Sequence, residues 1–219
     1  MKTAALALSL PLLAAAVLAN VACQSTYYKT MEAFGRQKRE ILVDRVKAAR
    51  DEQTKAKEEF KDALTQFREV TGFKGGDLED KYEELKDEYS DCESRAKAVT
   101  ERIDSIEDVS DAMFDEWQKE LGSYTNQDLR RSSEKQLKET RQRYAVLLGA
   151  LKNAEEAMQP VLAAFRDQVL FLKHNLNAQA ISSLRDQVGA VESDVARLIK
   201  EMETSINEAN AFIDGLPKS

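Results

Sequence analysis

The sequence predicts an all-α protein, a long antiparallel four-helix bundle with coiled-coil-like packing. The chain has 8 glycines and 3 prolines among 219 residues, so few positions break a helix. Apolar residues recur at alternating spacings of four and three positions over long stretches, which is the period of a coiled-coil seam. Polar or glycine-containing breaks divide these stretches into four helices, and short connecting loops favour an antiparallel bundle.

The first predicted helix runs from Tyr27 or Tyr28 to about Thr71. Either these two tyrosines lie at a lipid interface, as aromatic residues often do, or they simply begin the bundle. The seam of this helix consists of Leu42, Val46, Ala49, Gln53, Ala56, Phe60, Ala63, Phe67 and Val70. Because Gln53 is polar, we expect looser packing or a hydrogen-bonded partner at its layer.

A break at 72–77 ends the first helix and starts the second. Gly75 and Gly76 permit a positive φ, and Asp77 is suited to cap the next helix. The second helix then extends to about Gly122. Its seam consists of Leu78, Tyr82, Leu85, Tyr89, Cys92, Ala96, Val99, Ile103, Ile106, Ser110, Met113 and Trp117. A loop this short predicts that the first two helices form an antiparallel hairpin.

The third predicted helix follows a break at 123–126, where Thr125 is the expected cap, and extends to about Asn175. Pro160 is expected to kink this helix without ending it, because the seam continues in phase on both sides. The seam consists of Leu137, Thr140, Tyr144, Leu147, Leu151, Ala154, Met158, Val161, Phe165 and Leu172, and Leu148, Leu162 and Val169 widen it.

The fourth predicted helix is capped by Asn177 and ends at Gly215. Its seam consists of Ile181, Leu184, Val188, Val191, Val195, Leu198, Met202, Ile206, Ala209 and Ile213. The break at 175–177 leaves two alternatives open. Helices three and four form either a hairpin or one kinked, continuous helix.

Residues 1–22 have the pattern of a lipoprotein signal peptide, and residues 23–219 are expected to form a single helical bundle domain. Lys2 precedes an apolar stretch that is followed by small residues and then by Cys23. In lipoproteins of this type the signal is cut before the cysteine, which carries the acyl chains. Asn20 stands where an aliphatic residue is usual, so the alternative is ordinary cleavage after Ala19, which leaves Cys23 as a free thiol.

The predicted location is the periplasm of a Gram-negative bacterium, with the membrane as one partner through the lipid on Cys23. Gln24 follows the cysteine where an aspartate retains lipoproteins at the inner membrane, so by analogy the outer membrane is favoured. The formal net charge of −7 argues against nucleic acid as a partner.

Several sequence blocks resemble a family of bacterial envelope lipoproteins known as domain-of-unknown-function family 2959. The blocks are CQS at 23–25, YY at 27–28, KREILVDRV at 38–46, FKGGDLE at 73–79, FDEW at 114–117, LRRSS at 129–133 and VLFLKHNLNA at 169–178. They span most of the chain after Cys23. The resemblance implies an envelope lipoprotein and implies no particular activity.

The sequence offers no constellation for catalysis, so we expect no enzyme activity, cofactor or metal. The one histidine, His174, has no acidic residue three positions before it, as a carboxylate-bridged di-metal site would need. Glu58–Glu59, Glu83–Glu84 and Glu155–Glu156 sit off the seams and are expected to be solvated. Cys92 is expected in the core, with a redox thiol as the alternative. Trp117 is likewise expected to form a core layer with its apolar neighbours, with a ligand-binding role as the alternative.

Two surfaces are candidate interaction sites. Lys173, His174 and Asn175, with the neighbouring turn at Gly75 and Gly76, are candidates for docking an unknown envelope protein, because an apolar run ends there in a polar cluster. Arg130 and Arg131 would lie near the membrane end of the rod and are candidates for contact with lipid headgroups.

The predicted function is that of a lipid-anchored periplasmic scaffold or interaction protein. The alternative is a membrane-active or chaperone-like helical envelope protein, which would need an exposed apolar patch or a cleft. The oligomeric state stays open, because a long seam also pairs between chains in many coiled coils.

Overall fold

The computed structural model describes residues 37–75 and 77–216, and it confirms the all-α bundle. These residues form five α-helices and, after the second of them, a short 3-10 turn at Leu121–Ser123. The helices are α1 (Lys38–Thr71), α2 (Leu78–Glu120), α3 (Gln127–His174), α4 (Ala178–Arg185) and α5 (Val188–Gly215). The predicted start of the first helix at Tyr27 or Tyr28 lies outside the described residues.

The four long helices form a closed ring in which each one packs against two others. α1 packs on α2 and α5, and α3 packs on the same two helices. Neighbours run antiparallel: Arg45, early in α1, donates a hydrogen bond of 2.7 Å to the carbonyl oxygen of Ser105, late in α2. We call the end of the bundle where α1 begins the proximal end, and the end where α1 stops the distal end.

The predicted seams form the core that the ring encloses. Every predicted seam residue of α1 is buried, including Gln53, and so is every predicted seam residue of α3 from Leu137 to Leu172. The largest fully buried side chains include Phe60, Phe67, Phe165, Leu42, Leu85, Ile103, Ile106, Leu147, Leu151, Met158, Leu172 and Leu198. Burial of this apolar surface is the main favourable contribution to closing the ring, because it contributes a free energy of roughly 25 cal/mol per Å².

Polar contacts at the edge of the seam fix the register of α5 against α1. Lys57 lies 3.6 Å from the carboxylate of Glu203, and Arg50 donates to Asn210 Oδ1 at 3.1 Å. Solvated pairs of this kind contribute only about 0–1 kcal/mol each. They therefore align two helices that the apolar seam holds together.

Helix four of the prediction is two helices, and its inner face differs from the expected one. α4 ends at Arg185, and the chain passes through a turn at Asp186 and Gln187 before α5 begins. Beyond Met202, Ser205 and Phe212 are buried, whereas Ile206 and Ile213 are half-buried. The buried positions keep the alternating spacing of four and three through Leu198, Met202, Ser205, Ala209 and Phe212. The predicted seam instead took two successive intervals of four, from Leu198 to Met202 to Ile206, and so moved off the inner face.

The helix boundaries confirm most of the predicted signals and correct one. Asp77 and Asn177 cap α2 and α4 with their side chains, as predicted. α3 is capped by Asn126 rather than Thr125, because Asn126 Oδ1 accepts hydrogen bonds from the amides of Asp128 and Leu129. α3 continues through Pro160, as expected.

Of the two alternatives for predicted helices three and four, a hairpin or one kinked helix, the structure has the hairpin. The break at 175–177 separates α3 from α4, and α5 returns along α3 so that Arg143, early in α3, donates to the carbonyl of Gly215. Within the part of the chain that the structure describes, no helix combines the length and apolar character needed to cross a membrane.

Replacing Leu147 with alanine is expected to lower the free energy of unfolding by about 2–5 kcal/mol, because a fully buried leucine leaves a cavity. Denaturant unfolding followed by circular dichroism measures this loss. Val146→Ala is the matched control, since Val146 is 57% exposed. Its truncation is expected to cost less than about 0.5 kcal/mol. Equal losses for the two variants would remove Leu147 from the core.

Candidate functional site

The proximal end of the bundle is closed by an aromatic cluster. The ring of Tyr144 meets the ring of Phe114 edge-on at 5.4 Å between centroids and that of Phe212 at 6.5 Å. Beside them, Trp117 is half-buried and donates from Nε1 to Ser133 Oγ at 2.8 Å. These contacts place Trp117 in a structural layer, with its one polar atom already paired. Phe212 belongs to this layer, although the predicted seam passed through Ile213 instead.

A basic groove lies between α2 and α3 near this end, with a volume of about 830 Å³. Arg131, Lys135, Lys138 and Arg141 line it, and Glu134 is the acidic residue among them. The prediction singled out Arg130 and Arg131. Both are exposed, and Arg131 pairs with Asp128. The three further cations follow Arg131 at intervals of three and four, so the signal for a basic helix face was present in the sequence.

The predicted docking residues lie at the distal end, where α3 stops. Lys173 and His174 are the last residues of α3, and both are exposed. Asn175 helps to end the helix, because its Nδ2 donates to the carbonyl oxygen of Phe171 at 2.9 Å and satisfies one of the unpaired carbonyls there. Lys173 and His174 therefore remain the accessible polar side chains of this cluster.

The turn between α1 and α2 lies at the same distal end. Gly75 has a φ of 147°, which glycine adopts far more readily than residues with a Cβ, while Gly76 lies outside the described residues. The contact that ties this end of α1 to α4 comes from Arg185, whose Nε donates to the carbonyl oxygen of Thr71 at 2.6 Å. No pattern in the sequence pointed to Arg185, because the two partners are far apart along the chain.

Large apolar side chains are exposed around the distal cluster. Leu170 is 52% exposed, Phe171 38% and Leu176 40%. All three lie within a few positions of the polar residues that the prediction selected. We call Leu170, Phe171 and Leu176 the distal apolar patch. Exposed groups of this kind often mark surfaces that bind another molecule.

Cys92 lies in the core of the bundle, as expected. Its side chain is fully buried on α2. Burial raises the pKa of the Cys92 thiol, and the nearby carboxylates of Glu59, Glu88 and Asp91 raise this pKa further. A thiol in such surroundings carries little of the thiolate form that reacts with oxidants or electrophiles. This argues against a redox role.

The buried charge of the described bundle is Glu52, and it is neutralised locally. Its carboxylate lies 3.1 Å from Arg95 and 3.4 Å from Lys55. Within the described ranges, no group of three or more histidine, cysteine or acidic side chains is placed to hold a metal ion. Glu52 therefore acts as part of an ion pair between α1 and α2.

Residues 27–216 match the family described as Protein of unknown function (DUF2959). The chain belongs to this family. The match includes all five helices of this DUF2959 protein and the ten residues that precede Gln37. No curated protein and no solved structure matches the chain.

The thiol of Cys92 is expected to react with a maleimide at least about a hundredfold more slowly in the folded protein than in denaturant, because labelling needs an opening of the core. The measurement uses the Cys23→Ser chain, in which Cys92 is the remaining cysteine. Its raised pKa slows labelling further at any pH below that pKa. Fast labelling of the folded chain would place Cys92 at the surface.

Proposed function

We propose that this DUF2959 protein is a non-enzymatic, lipid-anchored helical scaffold or interaction protein of the periplasm, held at the outer membrane of a Gram-negative bacterium. One observation supports this most strongly. Residues 24–37 separate Cys23 from the start of α1, so a lipid on Cys23 would tether the proximal end. The accessible docking residues lie at the opposite, distal end.

The proposed anchor is strong on physical grounds. Acyl chains contribute about 0.8 kcal/mol per buried CH₂ group, so several chains on one cysteine hold a protein at a membrane for a long time. The apolar stretch that precedes Cys23 would be removed with residues 1–22. In this proposal the mature chain is attached to the membrane through its lipid.

If Cys23 carries the lipid, the basic groove between α2 and α3 lies at the membrane end of the rod. Arg131, Lys135 and Lys138 lie on one side of α3 near its start, and Arg130 is exposed beside them. A cation near an anionic membrane surface gains about 1 kcal/mol. These contacts would orient the rod on the lipid surface.

The length of the rod suits a scaffold that reaches away from the membrane. α3 has 48 residues and α1 has 34. At about 1.5 Å per residue, these helices extend roughly 70 and 50 Å. The distal cluster would therefore stand well clear of the lipid surface, within reach of other envelope proteins.

The distal apolar patch also suits a second function, that of a chaperone-like or membrane-active helical protein. Such a protein binds exposed apolar segments through its own apolar surface. Fluorescence of a dye that binds apolar surface separates the two functions. A strong signal that unfolded client proteins abolish supports the second function, whereas a weak signal supports the scaffold.

The mature protein is expected to begin at Cys23 and to carry the added mass of acyl chains, which intact-mass spectrometry detects. It is expected to partition into the detergent phase of Triton X-114. The Cys23→Ser chain should lack the added mass and stay in the aqueous phase, whereas Cys92→Ser should behave as the wild type. A mature wild-type chain that starts at Asn20 without added mass would refute the anchor.

Charge reversal at Lys173 is expected to reduce, by about tenfold, the yield of crosslinked partner recovered from intact cells, because hot-spot contacts dominate interfaces. The partner is identified by mass spectrometry in wild-type cells first. Lys97→Glu serves as the control, since Lys97 is exposed at the middle of α2. An undiminished yield for Lys173→Glu would exclude Lys173 from docking.

A further inference from the structure

A second groove lies at the distal end, between α3 and the junction of α4 with α5. Its volume is about 460 Å³, within the range of sites that take a small ligand or a few side chains. Phe171 of the distal apolar patch forms part of its wall. The other lining residues are Ala164, Asp167, Gln168, Ser183, Leu184, Gln187, Ala190, Val191 and Asp194.

The groove has a local cause in the sequence. α4 and α5 do not continue into each other, and the turn at Asp186 and Gln187 interrupts the helix that packs on α3. Three of the lining residues are small, Ala164 on α3 and Ser183 and Ala190 on the other side. An interrupted helix and short side chains together leave a furrow beside an otherwise tightly packed seam.

Gln168 lines the groove, and its side chain carries an unpaired hydrogen-bond acceptor that is buried behind the groove wall. Gln168 is 7% exposed, and its Oε1 accepts no hydrogen bond from the residues that the structure describes. Leaving a buried polar atom without a partner costs about as much as losing a hydrogen bond. Because this oxygen is itself buried, an N–H group of a ligand pairs with it only after the Gln168 side chain turns toward the groove.

The charge of the lining is acidic. Asp167 and Asp194 are its two ionisable residues, and no basic residue lines the groove. Arg166 and Arg197 form ion pairs with them from positions outside the lining, at 3.7 and 2.8 Å. Pairs between near neighbours on one helix are weak, so both carboxylates remain available to a second cation.

We propose that this groove binds a basic amphipathic helix of an envelope protein, with an apolar side chain of that helix beside Phe171 and lysine or arginine side chains beside Asp167 and Asp194. The inference rests on the proposed function and adds to the Lys173 cluster a second docking position, whose partner is basic and is therefore not one that Lys173 would hold. Between Ala164 and Phe171 the groove follows α3 for about 10 Å, which matches two turns of a bound helix.

Fluorescence anisotropy with a defined peptide tests the proposal. The probe is a labelled amphipathic peptide of about 15 residues, with leucines on one face and lysines on the other. A control peptide carries glutamates in place of the lysines. Both are titrated with the full Cys23→Ser chain, which lacks the acyl anchor and keeps every residue of the groove.

Two matched pairs of variants separate the groove from the rest of the surface. Ala190→Phe fills the groove, and Ala211→Phe makes the same change at an exposed alanine near the other end of α5. Asp167→Asn with Asp194→Asn removes two charges from the groove. Asp104→Asn with Asp108→Asn removes two exposed charges from α2. Circular dichroism melting curves confirm that each variant folds.

The lysine peptide is expected to bind the parent chain at least about tenfold more tightly than it binds Ala190→Phe or the groove aspartate variant. The two control variants should bind within about twofold of the parent chain. Equal binding to Ala190→Phe and Ala211→Phe would overturn the proposal, as would equal binding of the lysine and glutamate peptides. Self-association in sedimentation that Ala190→Phe abolishes would also overturn it, because a second copy of the chain would then occupy the groove.

The failure of this inference is distinguishable from the failure of the proposed function. If the peptide shows no preference for the groove while Lys173→Glu still lowers crosslinking in cells, docking takes place at the Lys173 cluster and the groove proposal is wrong. If both results are negative, the proposed interaction function is wrong as well.

Discussion

The structure depends on one constraint, the meeting of four apolar seams along a single axis. No helix in the ring buries its apolar face alone, because each long helix packs on two neighbours and the core lies between all four. α1 and α5 are far apart in the chain, and their contact closes the ring. The remaining features follow from this closure: a continuous buried core, polar outer faces and two ends where loops join the helices.

Two buried polar residues are exceptions to the apolar core. Gln53 on α1 and Ser205 on α5 are fully buried, and their side-chain polar atoms have no partner among the described residues. The contacts of Arg50 with Asn210 and of Lys57 with Glu203 bracket both residues, so they lie in the same stretch of the rod. The expected hydrogen-bonded partner for Gln53 is therefore absent from this described stretch. Such layers cost stability, at about 1–3 kcal/mol for each unpaired group.

The sequence predicted the core well because helical periodicity is a local property. The seams of α1 and α3 are readable from spacing alone. So is that of α2, although its predicted residues Leu78, Tyr89 and Trp117 are half-buried. The caps Asp77 and Asn177 stand beside clear breaks. The turn at Asp186 and Gln187 was missed, because Gly189 is the nearby breaker and lies inside the first turn of α5. The choice of Asn126 over Thr125 depends on local geometry between two adjacent residues that both cap helices well.

The candidate sites were harder to predict because they depend on how separate helices come together. Lys173 and His174 were identified as a polar cluster after an apolar run, and the structure places them on the surface at the distal end. The groove beside Gln168 has no counterpart in the sequence pattern. It arises from an interrupted helix opposite a small residue on α3, and the hydrogen bond from Arg185 to Thr71 likewise joins distant parts of the chain.

Zero-length carbodiimide crosslinking tests most directly whether the four seams close within one chain. Unlabelled and ¹⁵N-labelled chains are mixed, unfolded and refolded together before the reagent is added. The reagent joins Lys57 to Glu203 where they form an ion pair between the first and last helices of the ring. If the four seams close within one molecule, mass spectrometry will find this crosslink only between peptides of the same isotope. Mixed-isotope crosslinks at Lys57 and Glu203 would show that the seams pair between chains and would contradict the bundle described above.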